Sequence, residues 1–179
     1  MTTKLNNTEN TENVRAQLFL MIGHIADPIL NTFTMVALQD APDHFWHKPS
    51  SAGEHHPADE HGDGGLALHS LRVGRVCWTL CQSRPDLNPD VVLSAGILHD
   101  IGRYGIGENP SQYSLKEHPD IAAAFLREYG DGLIEEVACA VETHTGRWGR
   151  IQPRNETEWL VHYADCIAAN YQEWSSRVI

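Results

Sequence analysis

Val91-Val92-Leu93-Ser94-Ala95-Gly96-Ile97-Leu98-His99-Asp100 is the stretch on which the reading of the fold turns. Apolar and small residues fill its first eight positions, and an imidazole and a carboxylate follow at once. Arg84-Pro85-Asp86-Leu87-Asn88-Pro89 punctuates the chain before it. A helix is therefore expected from about Asp90, which sits near its N-terminus, to about Arg103. A carboxylate that follows so apolar a run is costly to bury without a partner. Alone, a His-Asp pair would read as a polar helix end facing water.

Working outward, the helical period recurs on both sides. Leu66, His69, Val73, Val76, Cys77 and Leu80 make one stripe of a helix over about Leu66 to Ser83. Upstream, Leu18, Met21, Ile22, Ile25, Ile29 and Phe33 predict one helix from Val14 to about Gln39, kinked at Pro28. Downstream, helices are expected over about Leu115–Glu128, Gly132–Thr145 and Glu156–Glu173, with Gly146 to Pro153 a loop. Ala41 to Gly65 holds three prolines, four glycines and five histidines and reads as a long loop; such loops are often functional. No strand pairing, repeat or heptad register is visible, so the expected class is all-α, a single domain with its site between central helices. Met1 to Asn13 is polar and reads as a disordered tail, leaving 14–179 as the folded domain.

At 179 residues the chain can bury a full core. It has no apolar run long enough to span a bilayer and no signal pattern, so a cytoplasmic protein is expected. Cys77, Cys81, Cys139 and Cys166 form no C-x-x-C pair and read as buried, reduced thiols. The formal net charge of −11 argues against binding long duplex nucleic acid, whose affinity comes from clustered Lys and Arg. It leaves room for a small anion held by a metal.

Eleven histidines are many for this length, and their placement is the main functional clue. His69 lies on an apolar stripe. Asp165 lies within Val161-His162-Tyr163-Ala164-Asp165-Cys166-Ile167-Ala168-Ala169, another core-like setting. His118 begins one helix and His144 ends another. One buried histidine is usually a satisfied core residue; four helices that each offer an imidazole or carboxylate to the interior suggest a metal site. That donor set suits Zn, Mn, Fe, Co or Ni better than Ca.

Five segments in order, LALHSLRV (66–73), GILHDIGRYG (96–105), KEHPDIAAAFL (116–126), VETHTGRWG (141–149) and LVHYADCIAA (160–169), resemble the HD-domain metal-dependent phosphohydrolases. The resemblance covers roughly Phe45 to Tyr171. The leading stretch PSSAGEHHPADEHGDGGLALHS (49–70) is similar to a subgroup related to HD-type 3′–5′ exoribonucleases and phage-borne HD hydrolases. The resemblance implies that His69, His99, Asp100 and Asp165 hold a first divalent metal. It also implies that Asp100 bridges to a second, held by His118 and His144, with Mg a further candidate for either ion. Its chemistry would be attack of a metal-activated water on a phosphoester or phosphodiester, the ions clamping the attacking and leaving oxygens.

Arg103, four residues after His99 where family members often carry Lys, is a candidate for both catalysis and phosphate binding. Asp100 and Lys116 are further catalytic candidates, Lys116 and Arg147 are weaker phosphate candidates, and Arg72 could instead pair with a carboxylate. The His55-His56 pair and His61 read either as a hydrated polar loop or as a loop over the site, with His56 or His61 meeting substrate. His44 and His47 read as plain loop residues, and His162 as a residue behind the ligands. Trp148 could stack on a base or contact a lid. The expected substrate is a nucleotide or short oligonucleotide; homo-oligomerisation stays open. Two rivals remain. Some HD proteins with six ligands use a di-iron site to cleave C–C or C–P bonds with oxygen, and degenerate members persist as non-catalytic modules.

Overall fold

The computed structural model describes residues 2–50 and 56–170. Among these residues it contains eight α-helices: α1 (Thr2–Ile22), α2 (Pro28–Gln39), α3 (Asp43–His47), α4 (Gly65–Cys81), α5 (Pro89–Leu98), α6 (His118–Arg127), α7 (Leu133–Thr143) and α8 (Glu156–Ala169). Short 3₁₀ turns lie at Ala58–Glu60 and Gly146–Trp148. No strand occurs among the described residues, where Arg103 and Gly105 make an isolated bridge. The all-α class is thus what the structure has.

The helix α5 is the axis of the assembly. Every residue from Asp90 to Leu98 is buried, and a helix apolar on all sides must be wrapped by others. Its neighbours are α4, α7, α2 and α8, while α6 packs on α7. Leu93, Ile97 and Leu98 are fully buried, each side chain contributing about 1.5–3 kcal/mol relative to exposure. Within this wrapped helix, Ser94 is satisfied by hydrogen bonding with Thr34, the hydroxyls lying 2.8 Å apart.

Several boundaries differ from the sequence expectation. The single helix expected over 14–39 is two. Asp27 caps α2, its side chain accepting from the Ile29 and Leu30 amides, and Pro28 occupies the first turn, where it costs no hydrogen bond. Asp90 of α5 secures the same turn by accepting from the amides of Ala26 and Asp27. Proline here starts a helix rather than kinking one. At the other end, α1 begins at Thr2, within the stretch read as a tail; Thr11 and Val14 are buried, and the Arg15 guanidinium lies over the Trp46 ring.

The long loop of 41–65 holds α3 and a 3₁₀ turn, so His44 and His47 are helical; His55 lies outside the described residues. The helix expected to reach Arg103 ends at Leu98, and consecutive tight turns carry the chain through Gly105. All four cysteines are free thiols, but only Cys77 and Cys81 are buried; Cys139 and Cys166 are partly exposed. No helix among the described residues is long and apolar enough to cross a membrane.

Candidate metal centre

The six residues singled out from the sequence converge from five helices or their ends. His69 projects from the middle of α4, and His99 and Asp100 stand just past the end of α5. His118 opens α6, His144 closes α7, and Asp165 lies on α8. His69, His99 and Asp100 are fully buried. Asp165 keeps 22% of its side-chain surface and His118 9%, so the cluster meets solvent on their side.

Three of the imidazoles are oriented by one local device. His99 Nδ1 donates to Gly96 O at 2.9 Å, His118 Nδ1 to Leu115 O at 2.6 Å, and His144 Nδ1 to Val141 O at 2.6 Å. Each acceptor is the carbonyl three residues back. Leu115 O and Val141 O also accept the backbone amides of His118 and His144, at 3.2 and 3.3 Å, so these two carbonyls hold both the ring and the main chain of their histidine. A proton on Nδ1 leaves the Nε2 lone pair facing inward, the arrangement of a metal-ligating histidine.

Asp100 stands between two groups of donors. Its Oδ1 lies 3.0 Å from His118 Nε2 and 3.5 Å from His144 Nε2. Its Oδ2 lies 3.5 Å from His99 Nε2. On that side His99 Nε2 is 3.9 Å from Asp165 Oδ1, which in turn is 3.0 Å from His69 Nε2. The donor atoms of His69, His99 and Asp165, and those of His99, Asp100 and His144, each fall within 4.8 Å of one another.

The donor set fits a cation. His118 Nε2 and His144 Nε2 face each other at 3.2 Å; with both Nδ1 protons committed to carbonyls, two lone pairs meet there and a carboxylate oxygen stands beside them. His99 Nε2 and Asp100 Oδ1 are buried without a hydrogen-bond partner. Buried acceptors left in this state are expensive unless a proton or metal comes between them.

The electrostatics agree. Burial alone would raise the Asp100 carboxyl, but the Arg103 guanidinium and the His99 and His118 imidazoles hold it well below the usual carboxylate range. Asp165 is likewise held down against burial, chiefly by His69. Burial opposes charge on His69, yet the neighbouring carboxylates of Asp165 and Glu60 push its pKa up to about 9.

The residues proposed for substrate contact are scattered. Arg103 donates from Nη1 to Asp100 Oδ2 at 2.6 Å, and its Nε is buried without a partner. Because α5 stops at Leu98, a turn rather than a shared helix face returns it to the cluster. Lys116 and Arg147 are exposed, and Trp148 is 81% exposed. The structure thus brings Arg103 onto Asp100 of the cluster and leaves Lys116 and Arg147 exposed. His56 packs on His69 with ring centroids 4.6 Å apart, while His61 is exposed and bonds to His56 O. His162 bonds through Nδ1 to His144 O at 2.7 Å and supports the α7 end of the cluster. Gly146 follows, at φ +55°, where an added Cβ would come within 2.4 Å of the His162 ring.

Sequence reading missed Glu60. It is fully buried on the 3₁₀ turn, with Oε2 3.2 Å from His69 Nδ1 and 2.9 Å from His56 Nδ1. Arg72 lies 2.6 Å from its Oε1 and also engages Asp59. The available signals were Arg72, one turn after His69 with no acid yet assigned to it, and the Gly64-Gly65 pair. A Cβ at Gly65 would fall 2.0 Å from Glu60 O, so only glycine lets this turn lie against α4.

A family model described as HD domain matches residues 66–170, more than half of the chain. No curated protein and no solved structure matches it.

Proposed function

Because the chain belongs to the HD domain family, a superfamily composed mostly of metal-dependent hydrolases, we propose that it hydrolyses a phosphoester or phosphodiester of a nucleotide or short oligonucleotide. The observation that carries this reading is Asp100, whose Oδ1 faces His118 and His144 while its Oδ2 faces His99. In this reading His69, His99, Asp100 and Asp165 hold one divalent metal, and Asp100, His118 and His144 hold another. Such ions supply Lewis acidity toward phosphoryl oxygens and acidify water to near neutrality.

The remaining work falls to the chain. The Nδ1–carbonyl bonds at His99, His118 and His144 fix the ring tautomers, so the ligand lone pairs need no reorganisation. Burial of His69, His99 and Asp100 keeps bulk water from competing for these groups. Arg103, held on Asp100, brings a fixed positive charge next to the shared carboxylate and is the candidate to meet a phosphate oxygen as charge develops. Lys116 and Arg147 are exposed flanking cations that would receive the outer part of a polyanionic substrate. The net charge of −11 favours a small substrate, since a long polyanion would meet repulsion without a basic track.

The test is a phosphate-release screen of nucleotides, cyclic nucleotides and short oligonucleotides with Mn- or Co-loaded protein. Turnover that is lost in Asp100→Ala is expected. Oxygen uptake with iron-loaded protein, and no phosphoester cleaved with any metal, would overturn the hydrolase reading in favour of a di-iron oxygenase.

A further inference from the structure

His69 differs from the other three imidazoles of the cluster in how its outer nitrogen is held. His99 and His144 lean on carbonyls at helix ends, and His118 on Leu115 just before its helix. His69 sits in the middle of α4, and no main-chain carbonyl accepts from its Nδ1. It has no backbone acceptor to borrow. The group beside its Nδ1 is instead the Glu60 carboxylate, an ion-pair contact at 3.2 Å, and Nδ1 makes no hydrogen bond with any described residue.

We propose that Glu60 is a positioning residue for the metal centre, a buried carboxylate delivered by the 58–60 turn to orient His69 and raise its strength as a ligand. The inference rests on the metal-centre reading above. The turn is built to hold that carboxylate still. Arg72 from α4 takes Oε1 at 2.6 Å and grips Asp59 with its other amino group. His56 Nδ1 and Ser50 Oγ approach Oε2 at 2.9 and 3.2 Å. The backbone ties the turn down as well, through Ser50 N to Glu60 O at 3.0 Å and Leu66 N to Lys48 O at 2.9 Å. A fully buried carboxylate is costly unless so satisfied. A carboxylate behind a ligating histidine fixes the ring and increases its basicity toward a metal. Glu60, His56 and Ser50 all precede residue 66, where the family match begins, so this support is supplied by the chain's own leading segment.

The test is a competitive titration of metal-free protein with Co²⁺ or Mn²⁺, resolving the number of ions and the affinity of each. Glu60→Gln, which keeps size and an acceptor, is compared with wild type, and Glu60→Ala is run where it folds. The expected result for Glu60→Gln is unchanged stoichiometry and one affinity weakened about 10–100-fold, the cost typical of outer-shell partners, with the other affinity unaltered. Equal affinities in wild type and Glu60→Gln would overturn the positioning role while leaving the metal centre standing. Loss of an ion from the count would make Glu60 a ligand and also overturn it, and parallel weakening of both ions would reduce it to a general structural residue. A wild-type protein that binds neither ion would sink this inference and the metal-centre reading together.

Discussion

His69 carries the most consequential charge in the cluster. Burial works against its protonation, but it lies between Asp165 and Glu60, and these two carboxylates raise its pKa from an ordinary 6.5 to about 9 in the metal-free protein. A raised pKa means the proton is retained through neutral pH and lost only as pH rises through about 9. Metal entering at pH 7.5 must displace that proton. Uptake is therefore expected to release protons, and apparent affinity to climb as pH approaches 9. Calorimetric titrations in buffers of differing ionisation enthalpy would check this; identical heats in all buffers, with no pH trend in affinity, would contradict it. At this scale the sequence was highly legible for the residues of the cluster. His69, His99, Asp100, His118, His144 and Asp165 each occupy an apolar or helix-end setting that a lone polar residue would not choose. It was poorly legible for Glu60, whose partner His69 is reached through a loop fold and a glycine contact that no periodicity encodes.

The helices were legible where burial is one-sided or complete, and least so where a single residue decides a boundary. The run from Val91 to Leu98 could only be a buried helix once flanked by other helices, and every residue of it is buried. Pro28 was ambiguous, because the same residue that kinks a helix interior also starts a new one; the decision lies with Asp27 and with the distant Asp90, which closes the turn from α5. The Asp27 cap makes a measurable claim. Its side chain accepts two amides that the helix leaves without partners. Asp27→Ala is expected to lower unfolding stability by about 1 kcal/mol, read from urea unfolding with an unchanged slope. A midpoint identical to wild type would show that Asp90 alone holds the turn. The end of α5 at Leu98 escaped sequence reading for a related reason: Ile101 and Tyr104 continue an apolar pattern that the tight turns after His99 also bury.

For the whole molecule, the wrapping of α5 and the chemistry of the site are one fact. The helices that bury its apolar sides are α4, α7 and α8 as well as α2. Three of these bring His69, His144 and Asp165 to the point where α5 ends in His99 and Asp100. The segment before α4 then closes over the outer face of His69 with Glu60, and Arg103 folds back onto Asp100. The account therefore hangs on Asp100 as the group shared by two halves of one centre. The most direct test counts metal ions per chain, by competitive titration and elemental analysis, in wild type and Asp100→Ala. It predicts two ions in wild type, and in the variant a loss of more than about a hundredfold in both affinities, since even outer-shell changes cost 10–100-fold. A wild-type chain that takes up no ion, or an Asp100→Ala variant that keeps both with unchanged affinity, would contradict it.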